Sequence, residues 1–242
     1  MRVLVTGGAG FIGSHIATAH LARGDEVLVI DNLHTGLRSA VPAGAGFAHA
    51  DITDASAMAD CFARFRPELV SHHAAQMDVR RSVHEPAYDT EVNVLGSVNI
   101  LRNCVEVGVG RLVFASSGGA VYGEGYSPDG DRLPFTEASR PQPKDNYGAN
   151  KLSVEYHLDL YGQNYDLPYV ALRYPNVYGP RQDSKGEAGV IAIFAGAMLQ
   201  DTPTRITGDG TQTRDFVFVG DIARANRLAL EGAASGIFNV GT

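Results

Sequence analysis

The segment Val3-Leu4-Val5-Thr6-Gly7-Gly8-Ala9-Gly10-Phe11-Ile12-Gly13-Ser14 constrains this chain more than any other. An apolar β run feeds a glycine turn, and an amphipathic stretch carrying Ile16, Ala17 and Leu21 follows. Gly8, Gly10 and Gly13 fit G-x-G-x-x-G, and Gly7, Gly10 and Gly13 fit the more open G-x-x-G-x-x-G. Each glycine has a task. One makes the tight turn, one lets backbone approach a pyrophosphate, and one lets helix pack closely on strand. The N–H groups at the helix start then face the phosphates.

Glu26–Asp31 reads as a second strand ending in an acid, eighteen residues after Gly13. An acid about 20 residues on hydrogen-bonds the adenosine ribose 2′-OH and repels a 2′-phosphate, so NAD is expected over NADP. A third strand over residues 46–50 leads into Asp51 and Ile52, which could flank the adenine.

Further strands are expected over residues 68–73, 111–117 and 168–173, alternating with helices over Thr90–Val107 and Asn146–Tyr161. The alternation implies an α/β, doubly wound parallel Rossmann sheet with ligands at the carboxyl ends of its strands. Residues 125–145 read as a loop. After about Gly179 the pattern changes: a helix over Val190–Leu199, short strands over 204–207 and 214–219, and a helix over 221–230. We therefore expect an NAD-binding domain over 1–180 and a small substrate lobe over 181–242, whose later elements can rejoin the sheet.

At 242 residues and 44% hydrophobic, the chain can bury such a sheet. A net charge of −7 and no basic run beyond Arg80-Arg81 argue against nucleic acid. No apolar run approaches the ~18–20 residues of a membrane span. Cys61 and Cys104 read as buried thiols, not a disulfide framework or metal site. A cytoplasmic protein is expected.

Tyr147 and Lys151 lie at i and i+4, on one face of their helix. A phenol paired with an ammonium beside a nicotinamide makes a general acid/base, the positive charges drawing the phenol pKa down.

These motifs together, TGGAGFIGS (6–14), DNLHTG (31–36), HHAAQ (72–76), ASSGGAVYGE (115–124), YGANK (147–151), LRYPNVYGPRQ (172–182) and RDFVFVGDIA (214–223), resemble the extended short-chain dehydrogenase/reductases of the nucleotide-sugar epimerase/dehydratase family. The resemblance covers essentially the whole chain. It implies reversible 4-epimerisation of a UDP-hexose through a 4-keto intermediate, with tightly bound NAD. Tyr147 would be the acid/base, Lys151 its electrostatic partner, and Ser117 the assisting hydroxyl. Gly7, Gly10, Phe11, Ile12, Gly13, Asp31, Asn32, Asp51, Ile52, Ala74, Ala75, Gln76, Asn93, Ser116, Tyr147, Lys151, Tyr174 and Pro175 would line the cofactor, Lys151 holding the nicotinamide ribose. Asn176, Val190 and Arg214 would meet the UDP-sugar.

One departure stands out. The family's third catalytic hydroxyl falls at Gly118 here, so Ser117 would have to supply it from one place upstream. The Asp-Glu pair of related dehydratases is replaced by Gly119-Ala120, which argues against 4,6-dehydration. UDP-glucuronate and UDP-N-acetylhexosamine epimerases are the rivals among enzymes, and a non-catalytic NAD-binding regulator is the rival outside them. The two long helices imply a homodimer joined by a four-helix bundle. The resemblance also implies further residues beyond Thr242.

Overall fold

The computed structural model describes residues 1–123, 134–184 and 189–241. Residues 124–133, which include the first part of the expected 125–145 loop, residues 185–188 and Thr242 lie outside these. The strands are β1 (Arg2–Thr6), β2 (Glu26–Asp31), β3 (Gly46–His49), β4 (Leu69–His72), β5 (Arg111–Ser117), β6 (Tyr169–Tyr174), β7 (Asn176–Tyr178), β8 (Phe216–Phe218) and β9 (Gly236–Asn239). The α-helices are α1 (Phe11–Ala22), α2 (Ala55–Phe65), α3 (Val79–His84), α4 (Pro86–Thr90), α5 (Gly96–Val107), α6 (Gly118–Val121), α7 (Asn146–Tyr165), α8 (Val190–Leu199) and α9 (Val219–Glu231).

The main sheet runs β3-β2-β1-β4-β5-β6-β9 with every neighbouring pair parallel. It is a Rossmann-type sheet. The chain leaves β1 towards β2 on one side and later reaches β4 on the other, so a crevice opens at the carboxyl ends of β1 and β4. Strands alternate side chains between faces, which sorts the core into two layers. Val3 and Val5 pack with Ile16, Ala17 and Ile222 beneath α1 and α9. Leu4 packs with Phe62, Ile100, Leu112 and Leu158 beneath α2, α5 and α7. Both layers are apolar, which is why the central strands read as unbroken hydrophobic runs.

Two elements differ from the sequence expectation. The long helix over residues 90–107 is a relay: α4, then a wider π-type turn over Glu91–Leu95, then α5. Residues 204–207 are not a strand; β8 pairs instead with β7, which the sequence reading missed. The chain returns to the main sheet through α9, packed on α1, and β9, paired with β6. No helix among the described residues is long and apolar enough to cross a membrane.

One buried ion pair fastens the sheet to α7. The Arg173 guanidinium of β6 forks onto both Glu155 carboxylate oxygens at 2.9 and 2.6 Å, and its third arm donates to the Tyr122 hydroxyl at 2.6 Å. Tyr122 donates onward to Asn239 of β9. Removing one partner strands a buried charge. Arg173→Met is expected to destabilise the fold by roughly 3–5 kcal/mol. Urea unfolding would test this, with Arg173→Met/Glu155→Leu expected to recover much of the loss.

Candidate active site

The site begins where β1 stops. Gly7 has φ +67°, and its N–H donates to Ile30 at 2.8 Å. A Cβ there would lie 2.6 Å from the Ala74 nitrogen, so β4's continuation can approach only a glycine. A Cβ on Gly13 would strike the Gly7 carbonyl and come within 2.9 Å of the Gly8 Cα. Gly10 is the extended N-cap of α1 and offers no side-chain cap. The first N–H groups of α1, at Phe11 and Ile12, therefore point out as a phosphate cradle.

Asp31 ends β2. Its carboxylate accepts from the Ala9 N–H at 2.9 Å and the Leu33 N–H at 2.8 Å. It thus ties the glycine turn to β2 and keeps acceptor capacity for ribose hydroxyls. Asn32 donates to Asp51 at 2.7 Å. Burial pushes the Asp51 carboxyl up, but hydrogen bonds from Thr53 and Asn32 outweigh it and hold the group below its ordinary range. Ile52 is only 4% exposed and lies against Gly96, so its side chain is spent on the core.

Ala74, Ala75 and Gln76 continue β4 along the crevice. The Thr6 hydroxyl accepts from the His73 and Ala74 N–H groups at 3.1 Å, a brace the sequence reading overlooked. Asn93, expected to line the cofactor, clasps the Gln76 backbone from both sides: it accepts from the N–H and donates to the carbonyl, each at 2.9 Å. Its amide is a support for the loop. The Ser116 hydroxyl donates to Glu155 at 2.6 Å, on the sheet face away from Ser117.

The acid/base pair rises from the first turns of α7. Asp145 caps this helix, accepting from the Gly148 N–H at 2.7 Å. Gly148 matters to the approach: a Cβ there would sit 2.6 Å from the Ala120 carbonyl, so α6 leans on α7 only because the motif carries glycine. Ser117 at the end of β5 stands beside the Tyr147 side chain, where its hydroxyl favours the ionised phenol. The geometry thus joins Tyr147 to Ser117, while Gly118 opens α6. Lys151 is 3% exposed; its Nζ donates to the Ala115 carbonyl at 2.9 Å and lies 5.7 Å from the Tyr147 ring centre.

Burial dominates both titrations. Desolvation brings Lys151 down to about 8 against the opposing pull of Asp89 and Glu155. It drives Tyr147 up to about 12, although the Ser117 hydroxyl draws the other way. The expected downward pull on the phenol is therefore not delivered by the protein's own groups: loss of hydration exceeds what the neighbouring side chains return. His73 is pressed down to about 3, chiefly by burial and next by Lys151. Neutral at working pH, it meets the Tyr174 hydroxyl at 3.0 Å and stacks on its ring.

Beyond β6 the chain passes half-buried Pro175 to Asn176, whose backbone N–H and side-chain amide both donate to the Asp215 carbonyl at 3.1 and 3.0 Å. Arg214, one residue earlier, is exposed. Val190 opens α8, also exposed.

A doubly wound sheet, a side-chain-free phosphate cradle, an acid at β2 and a Tyr–Lys helix define a dinucleotide-dependent enzyme of the short-chain dehydrogenase type. The chain belongs to the NAD-dependent epimerase/dehydratase family, whose profile matches residues 3–241. It is 47% identical over 241 residues to a putative UDP-glucose 4-epimerase of Methanocaldococcus jannaschii, covering 99% of this chain and 76% of that protein. A UDP-glucose 4-epimerase of Mycolicibacterium smegmatis is 43% identical, covering 100% and 77%. Among solved structures, the Thermotoga maritima UDP-glucose 4-epimerase with UDP-glucose superposes with TM-score 0.96 at 45% identity, covering 100% of this chain and 77% of that one. The Thermus thermophilus enzyme in complex with NAD gives 0.92 at 52%, covering 100% and 78%.

The residues fit NAD. A Cβ would fill the cradle at Gly7 and Gly13, and Asp31 suits a free ribose hydroxyl rather than a phosphate. Gly13→Ala should push α1 off the turn and weaken NAD binding about tenfold or more, measurable by calorimetric titration.

Proposed function

We propose that this chain catalyses the reversible 4-epimerisation of UDP-glucose and UDP-galactose. The observation that carries the reading is the Ser117–Tyr147–Lys151 cluster at the carboxyl end of β5, beside the dinucleotide crevice.

NAD, when bound, supplies the hydride chemistry at C4 of the sugar. Tyr147 takes the proton of the sugar 4-hydroxyl as C4 is oxidised. It returns that proton to the oxygen of the 4-keto sugar after the hexose has turned to present its other face. Ser117, beside Tyr147, reaches for the same oxygen. Lys151, fixed by the Ala115 carbonyl, sets an ammonium beside the phenol and favours its ionised form. The protein must anchor the substrate while the sugar rotates, so its grip belongs on the diphosphate. Arg214 offers a guanidinium fork suited to phosphate, and Asn176 and Val190 border the same side. Tyr174 and Pro175 border the nicotinamide end, with His73 holding the Tyr174 hydroxyl in place.

We assign residues 1–180 to cofactor binding and the chain between β7 and β8, within 181–242, to the sugar nucleotide. The protein acts as a cytoplasmic homodimer. Cys61 and Cys104 are free thiols, as a reducing compartment maintains. Leu95, Tyr156 and Leu160 stand 50%, 64% and 49% exposed on the two long helical segments, an apolar face suited to a four-helix bundle with a second copy.

Purified protein is expected to convert UDP-galactose to UDP-glucose, and Tyr147→Phe should lower kcat about 10²–10⁴-fold with NAD binding retained. A wild-type protein that leaves both UDP-hexoses unchanged would overturn the reading. Leu160→Glu should shift the protein from dimer to monomer in sedimentation equilibrium.

A further inference from the structure

Asp89 is fully buried at the end of α4, and no motif of the reaction assigns it a task. Three side-chain amides converge on it. Its Oδ1 accepts from Gln76 Nε2 at 2.7 Å and Asn93 Nδ2 at 3.0 Å, and its Oδ2 accepts from Asn150 Nδ2 at 2.7 Å. These donors come from the cofactor-side loop, the π-type turn and α7. Asn150 sits between Tyr147 and Lys151, next to the latter. All three bonds run towards the carboxylate, the pattern an ionised acceptor satisfies. Out of water, its charge acts on the neighbouring pair with little screening.

We propose that Asp89 is the positioning residue of the acid/base pair: its buried carboxylate locks α7 to the Gln76 loop and biases the proton held by Tyr147 and Lys151. The proposal rests on the epimerase reading for its functional meaning, not for its geometry. Both members of the pair feel this charge in the same sense, since Asp89 raises the titration of Tyr147 and of Lys151. The other groups facing the pair are Asp145, which also raises Tyr147, and Glu155, which also raises Lys151 and is itself held by Arg173. His72 and His73 of the β4 end are kept neutral by burial. On α3, Arg81 is engaged by Glu85 and lies over Tyr88, and Arg80 is exposed.

Asp89→Asn removes the charge at nearly constant shape. Loss of a negative neighbour lowers both titrations, so the whole pH profile of kcat/KM should move towards acid by about half a unit or more. A purely structural role would lower the rate without moving the profile. Exchanging the groups, Asp89→Asn/Asn150→Asp, carries the carboxylate across the same hydrogen bond: the amide introduced on α4 keeps its oxygen towards Gln76 and Asn93 and donates to the new carboxylate on α7. This double variant should bring the profile back towards wild type, and it decides the question if the single variant folds poorly.

A second readout needs no turnover. Ultraviolet titration of the Tyr147 phenol in NAD-loaded protein, assigned with Tyr147→Phe, should show the same acid shift in Asp89→Asn. Coincident phenol titrations and pH profiles in wild type and Asp89→Asn would overturn the proposal while leaving the epimerase reading intact. Wild-type protein inactive on UDP-galactose would sink that reading instead, and the phenol titration alone would then judge Asp89.

Discussion

Everything at the carboxyl edge of this sheet depends on backbone meeting backbone without a side chain between. Gly7 lies against the His73–Ala74 link, and Gly13 lies against Gly7. A methyl group at either position would separate α1, β1 and β4 at the point where their ends must converge. The closeness lets the Thr6 hydroxyl brace two backbone N–H groups beyond β4, and lets Asp31 reach the Ala9 N–H across from β2. The phosphate cradle is thus a by-product of packing. Where three chain segments are too close for side chains, the N–H groups at a helix start are left uncapped and facing the crevice.

A second fastening sits deeper. Glu155 lies two turns beyond Tyr147 on α7, and it accepts both the Arg173 fork from β6 and the Ser116 hydroxyl from β5. Such a pair gains little net stability over an apolar replacement, but it accepts only one geometry. Here that geometry sets the rotation of α7 about its axis and its height over β5 and β6. Lys151 then meets the Ala115 carbonyl and Tyr147 meets Ser117.

Much of this is legible in the residues alone. Buried parallel strands announce themselves as continuous apolar runs, and the four-residue spacing of Tyr147 and Lys151 survives as a shared helix face. The place of Ser117 was legible through its neighbour, because alternation along β5 gives adjacent serines opposite faces: Ser116 to Glu155 and Ser117 to Tyr147. Other features were hidden because their cause lies in another segment. Residues 204–207 have strand-forming composition but find no ladder, whereas Asn176–Tyr178 becomes a strand by pairing with Phe216–Phe218. Asn93 also clasps Gln76, a role hidden in the sequence because the partner lies seventeen residues away and leaves no local trace. The same holds for Asp89, whose donors come from three different segments.

The acid/base pair shows why such remote carboxylates matter. Burial opposes charge on both members, bringing an amine to about 8 and a phenol to about 12, so the phenol is not poised for proton transfer by its own chemistry. The balance passes to whatever charges remain within reach in a poorly hydrated site. Asp89 and Asp145 oppose ionisation of the phenol, while Asp89 and Glu155 sustain the charge on Lys151. A lysine kept charged is what a forming phenolate needs beside it, and a phenol kept neutral until then is what spares the fold a buried, uncompensated anion. The carboxylates around α7 therefore serve both states of the catalytic cycle: they hold the resting proton on Tyr147 and preserve the cation that favours its release.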